Sequence, residues 1–441
     1  MTARFLPGAA LALALGFLSL GAARAEVPIT EVTSPGGITA WLVEEHSIPF
    51  VALEIRFRGG ASLDAPGKRG AINLMTALIE EGAGDLDATG FAETREALAA
   101  SYSFRAGEDS IAVSAQFLSE NRDAAVELLR KALIAPRFDP DAIERVRAQV
   151  LSGLKSDEQD PDTLASRTYD ALSFGDHPYG STRDGTLESV SALTRDDIVA
   201  ANKATLARDR IYVGAVGDIT PAELGVMLDK LLSGLPATGA PMPPRADYLL
   251  KGGVTVVPFD TPQSVILFGQ TGMTRDDPDF FAAYILNEVL GGSRFGARLM
   301  TEVREKRGLT YGISTFLVPM DHAELLMGQV SSANEKVAQV IDVVKAEWLR
   351  ATDGITEAEL ANAKTYLTGA YPLRFDGNGP IADILVGMQM DDLPIDYIKT
   401  RNAQVEAVTL ADVARVAKRL VQPDLLHFVV VGQPVGVVSG E

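Results

Sequence analysis

The chain has no cysteine and only four histidines in 441 residues. Neither a disulfide framework nor a thiolate metal site can therefore be built, and His46, His177, His322 and His427 stand too far apart in sequence to form a local ligand pair. A lack of cysteine is compatible with an oxidising compartment. Basic residues are also few: 40 Lys and Arg against 59 Asp and Glu give a formal charge of −19. Such an excess of carboxylates repels phosphate backbones and argues against nucleic acid as a partner. It would favour cationic peptides if the acids line a cavity; as a solvated surface it simply keeps the protein soluble. Beyond the N-terminus no apolar run reaches the length of a membrane span.

What is present begins with a targeting signal. Arg4 supplies a positive n-region, Ala9 to Leu20 an apolar stretch, and Ala23-Arg24-Ala25 an A-x-A cleavage site, so residues 1–25 read as a signal peptide. Its removal takes away Arg4 and Arg24 and moves the charge from −19 to −21. The expectation is a protein exported by a bacterium to the periplasm.

The mature chain is long enough for two domains, and a faint internal repeat supports that number. Ser110 to Phe117 alternates in polarity and runs into a capped amphipathic stretch, Ser119 to Leu129. Ala323 to Val330 followed by Ser331 to Ile341 repeats the pattern in the second half, and Asp139 to Leu154 answers to Thr356 to Gly369. Between the halves lies one long Pro/Gly-rich stretch, Gly234 to Pro244. The reading is an N-terminal domain over 26–235, a linker over 236–250 and a C-terminal domain over 251–437. Strands such as Phe50 to Phe57, Ile211 to Val216, Ser264 to Gly269 and Leu426 to Val431, interleaved with long helices, indicate an α+β class.

Several segments carry a family resemblance in their order and spacing. They are Gly67 to Gly82, Phe174-Gly175-Asp176-His177-Pro178-Tyr179-Gly180, Ile211 to Asp218, Val289 to Ser293, and Arg298 to Tyr311. Together they resemble the M16 metallopeptidases, the pitrilysin and mitochondrial processing peptidase family, over nearly all of the mature chain. The resemblance implies two homologous domains that form half of a clamshell. In the family the first of these segments is the zinc helix, with the motif His-x-x-Glu-His: two imidazoles one turn apart hold the metal and the Glu takes a proton from its water. Here the three places hold Asn73, Thr76 and Ala77, and the place of the family's third ligand falls on Gly153. Asn is a poor zinc ligand, Thr is no base at neutral pH, and Ala offers nothing.

The family's second domain carries an Arg and a Tyr, seven residues apart, that hold substrate near the zinc; this chain keeps both, as Arg304 and Tyr311. Guanidinium and phenolic donors suit a peptide carbonyl and a developing oxyanion. Read from the residues alone, Arg304 could instead pair with Glu302 or Glu305 while Tyr311 packs. Leu290 to Gly296 has neither the Walker lysine nor the Rossmann spacing, so it is no phosphate loop; in relatives this turn shapes the chamber wall. Lys155 to Asp162 is an acidic turn before a helix rather than a calcium loop.

The resemblance implies a non-catalytic, substrate-binding subunit of a two-chain periplasmic zinc peptidase, binding no cofactor itself. Zinc is expected in a separate zinc-bearing M16 subunit, joined as a heterodimer around an unfolded peptide. A homodimer in isolation stays open. The alternative is a catalytically inert envelope scaffold or peptide-binding protein with the same clamshell.

Overall fold

Two mixed β-sheets, each built in one half of the chain, organise the computed structural model, which describes residues 27–292 and 294–440. The expected signal peptide lies outside the described residues. The first sheet holds β1 (Thr30–Thr33), β2 (Thr39–Glu44), β3 (Phe50–Arg58), β4 (Ser101–Ala106), β5 (Ser110–Leu118) and β6 (Ile211–Gly217) in the order β1-β2-β6-β3-β5-β4. The second holds β7 (Gly253–Pro258), β8 (Gln263–Thr271), β9 (Ile313–Pro319), β10 (Glu324–Ala333) and β11 (His427–Gly432) in the order β9-β10-β8-β11-β7. Pairing is antiparallel except for β2 with β6 and β11 with β7.

The sequence repeat is visible as structure. β5 runs through a 3-10 turn, Ser119–Asn121, into the helix Arg122–Ile134, and β10 runs through Asn334–Lys336 into the helix Val337–Ala351. In β5 the period of two is strict: Ile111, Val113, Ala115 and Phe117 are buried and their neighbours are not.

Each sheet is covered on one face by helices of its own half and on the other by a helix from the opposite half. α1 (Ala71–Ala77) and α2 (Pro140–Asp157) belong to the first half's own core. α3 (Pro161–Phe174) crosses to the second sheet, where Ala165, Tyr169 and Phe174 pack on Val265, Leu267, Val429 and Val431. In the second half, α4 (Phe280–Gly291) and α5 (Glu357–Ala370) stay at home. α6 (Asn378–Met390) crosses back, setting Ala382, Leu385 and Met388 on Trp41, Val43, Ala52 and Val216. A glycine under each crossing helix permits the approach. A Cβ on Gly214 would stand 2.6 Å from the Ala382 carbonyl, and one on Gly269 would stand 2.5 Å from the Tyr169 hydroxyl. Burial of each large apolar side chain in these exchanged contacts contributes about 1.5–3 kcal/mol.

A polar seam accompanies the exchange. The Tyr179 hydroxyl donates to Asp109 and accepts the His322 N–H at 3.1 Å, and the Asp321 N–H donates to Asp109 at 3.2 Å. Arg58 pairs with Asp321 at 3.3 Å. Asp170 on α3 lies within reach of the Glu108 and Arg69 charges. Burial pushes its carboxyl up to about 7, with the Glu108 charge adding to the shift and Arg69 opposing it. A raised carboxyl means the folded state holds the proton more tightly than the unfolded one. Its contribution is thus most favourable below the unfolded value of 3.8 and is lost as pH rises through about 7. Asp170→Asn should raise Tm at pH 8 by roughly 2–4 °C, the shift that about 1 kcal/mol produces in domains of this size, and should do little at pH 5. Calorimetry at the two pH values decides it; a lower Tm at pH 8 would mean that the ionised carboxylate is stabilising.

Candidate functional site

The helix that carries the eroded motif is firmly built. Asp64 accepts hydrogen bonds from the Gly70 and Ile72 N–H groups at 2.8 and 2.9 Å, closing the N-terminus of α1, and Arg69 lies 3.6 Å away. Burial outweighs these partners and pushes the Asp64 carboxyl up to about 6. One turn apart on this helix, Asn73 and Ala77 line a cleft of about 390 Å³ together with Thr76. None of the three can serve zinc. The Thr76 hydroxyl is buried and donates back to the Ile72 carbonyl at 2.7 Å, and Ala77 has no donor atom. Gly153 lies exposed on α2, with nothing within 4 Å of where its Cβ would be. Among the described residues no group of three or more His, Cys, Asp or Glu side chains could hold a metal ion. Zinc does not fit the donor set at these four positions.

Arg304 and Tyr311 sit in the second half at the other end of the chemistry. Arg304 lies in a π-helical turn, Met300–Glu305, that follows the glycine-rich segment after α4. Gly308, at φ +59°, ends it, its N–H donating to the Arg304 carbonyl at 2.8 Å. The carboxylates that might have claimed Arg304 are not on it: Glu302 is held by Lys306 at 2.6 Å and Arg307 at 2.7 Å. Among the described residues the Arg304 guanidinium has no hydrogen-bond or carboxylate partner; it stacks 5.0 Å above the ring of Phe295. Tyr311 is 88% exposed and Phe295 is 66% exposed. A cavity of about 450 Å³ adjoins them, lined in part by Phe295, Met300, Gly312, Ile313, Ser314 and Gln329. This group of donors and rings is free to engage an extended peptide through carbonyl and apolar contacts.

Two features escaped the sequence. His177 and His322 are far apart along the chain, yet their rings lie 6.2 Å apart across the seam. They form no metal site: His177 caps a turn by accepting the Tyr179 N–H and reaches the Pro244 carbonyl at 3.0 Å, and burial holds the His322 imidazole below its usual range. The second is a pair of arginines, Arg105 and Arg183, that line the cleft beside α1 where a metal would have stood. No motif marks either one.

Comparison with known proteins agrees with this geometry. Residues 40–185 match the family described as Insulinase (Peptidase family M16), and residues 192–367 match Peptidase M16 inactive domain. A Helicobacter pylori protein named Non-peptidase homolog YmxG is 28% identical over 393 residues, covering 88% of this chain and 90% of that protein. An uncharacterized zinc protease of Mycobacterium leprae is 25% identical over 408 residues, covering 89% of each. The crystal structure of a peptidase M16 inactive domain from Pseudomonas fluorescens superposes with a TM-score of 0.86 at 27% identity, covering 94% of this chain and all of that one. A protease structure from Helicobacter pylori shares the fold, with a TM-score of 0.83 at 16% identity over 92% of this chain and 99% of that one.

Proposed function

The chain belongs to the M16 peptidase family as a non-catalytic member, and from that premise we propose that it is the substrate-binding subunit of a two-chain zinc peptidase of the bacterial periplasm. In this reading it contributes half of a closed chamber and presents Arg304 and Tyr311 to a peptide held at the metal of a zinc-bearing M16 partner. One observation carries the reading: the zinc helix has lost all of its chemistry, while the Arg304 guanidinium and the Tyr311 ring remain unclaimed and accessible. The exposed ring of Tyr311 forgoes the burial that a purely structural tyrosine would use. Export rests on residues 1–25.

Mixing tests it. With zinc present, an unstructured peptide should be cleaved slowly or not at all by this chain alone and by a zinc-bearing M16 chain of the same bacterium alone. The mixture should exceed their sum by at least tenfold. Absence of any gain would favour an inert scaffold, and cleavage by this chain alone would overturn the account of the empty helix.

A further inference from the structure

The cleft beside α1 is more than a deleted site. Its floor is formed by Asn73, Thr76 and Ala77 of the helix, and its wall by β4, one of the two edge strands of the first sheet. As an edge strand β4 has one side of its backbone without a strand partner over its 6 residues, Ser101–Ala106. That free edge stops abruptly. The next three carbonyls, of Gly107, Glu108 and Asp109, already accept from the N–H groups of Ala61, Ser62 and Gly59 at 2.7, 2.9 and 2.6 Å. A peptide laid along β4 therefore has no backbone to pair with beyond Ala106.

At this closed end the cleft is cationic. Arg105 has no carboxylate or hydrogen-bond partner among the described residues, and Arg183 has only a loose contact with Asp184 at 3.9 Å. Against these two guanidiniums the cleft lining holds one acid, Asp184, so it keeps a net positive charge in a chain with 59 acids and 40 bases. Asn73 adds a side-chain amide to the lining, with no hydrogen-bond partner among the described residues. We propose that this cleft captures the free C-terminal carboxylate of an extended peptide, with the peptide running parallel to β4 and Arg105 and Arg183 neutralising its last charge. Guanidinium donors match a carboxylate in geometry and charge, whereas a peptide amino terminus there would meet two like charges. The metal-binding end of the ancestral groove would thus hold a chain end, such as a cleaved product or a trimmed leader, rather than an internal bond. The proposal rests on the reading of this chain as a peptide-binding subunit and names the class of peptide.

The test uses this chain alone, without a zinc-bearing partner, and one fluorescent unstructured peptide made with a free and with an amidated C-terminus. Fluorescence anisotropy should show the free acid binding at least tenfold tighter. Arg105→Gln and Arg183→Gln should each erase most of that difference, and the preference should shrink as salt rises. Both arginines are at the surface, so circular dichroism should show folded variants. Equal affinity for the two peptides, no binding of either, or a preference that survives both substitutions would each overturn the proposal. A failed mixing experiment leaves this preference intact, and an absent preference leaves the mixing gain intact, so the two readings fail separately.

Discussion

Arg304→Ala should lower the turnover of the mixed two-chain peptidase by about 10²–10³-fold, the loss seen when one preorganised donor to a developing oxyanion is removed. Tyr311→Phe, which deletes a single neutral donor, should cost roughly tenfold. Because the guanidinium stacks only on the Phe295 ring and Tyr311 is almost wholly exposed, neither change removes packing that holds the fold. Thermal melting and association with the zinc-bearing chain should be unaltered, which separates a chemical role from a structural one. The loss should also fall on kcat more than on KM if the contacts strengthen as the carbonyl becomes an oxyanion. Full activity of the Arg304→Ala mixture would remove this pair from the mechanism.

Glu359→Ala should be the most damaging single change to stability away from the apolar cores, at about 3–5 kcal/mol by urea unfolding. Its carboxylate holds the buried Arg298 in a fork, with both oxygens 2.7 Å from guanidinium nitrogens. The same carboxylate accepts the Thr356 N–H at 2.8 Å, while the Thr356 hydroxyl accepts the Glu359 N–H at 3.2 Å, so it also closes the first turn of α5. Removal leaves Arg298, which is 7% exposed, with the Gly354 carbonyl as its remaining partner. Hydrogen bonds from Arg298, opposed by burial, hold the Glu359 carboxyl down at about 2. Its stabilisation is therefore complete above the ordinary value of 4.5 and is lost as pH falls through about 2. Asp170 acts in the opposite sense at higher pH, so stability should peak in mildly acidic solution. Glu359→Gln, which keeps an acceptor for Thr356 but not the charge, should cost distinctly less than Glu359→Ala.

The vacant metal helix was legible because a motif with fixed spacing leaves readable gaps: Asn73, Thr76 and Ala77 fall where a motif's residues would, and the structure places them on one cleft. Arg304 and Tyr311 were legible for the same reason, though not their freedom, which depends on Lys306 and Arg307 having taken Glu302. The repeated strand-and-helix unit showed itself through the period of two in β5, which β10 keeps only in its second half, after four consecutive buried residues. By contrast, the crossing of α3 and α6 was invisible. An amphipathic stripe says that a helix buries one face, not which sheet receives it, and Gly214 and Gly269 look like any other strand glycines until a helix backbone or a tyrosine hydroxyl lies against them. Arg105 and Arg183 were missed because nothing local relates residues so distant in sequence.

The exchanged helices bear on how the chain comes into being. Synthesis delivers the first sheet's last strand, β6, by residue 217, but the helix that seals its second face, α6, ends only at residue 390. Until then Trp41, Val43, Ala52 and Val216 lack the helix that covers them. α3, made early, must likewise wait for strands that end at residue 432. Neither half can bury both faces of its sheet before the other is made, so a nascent chain released early would carry two apolar sheet faces open to aggregation.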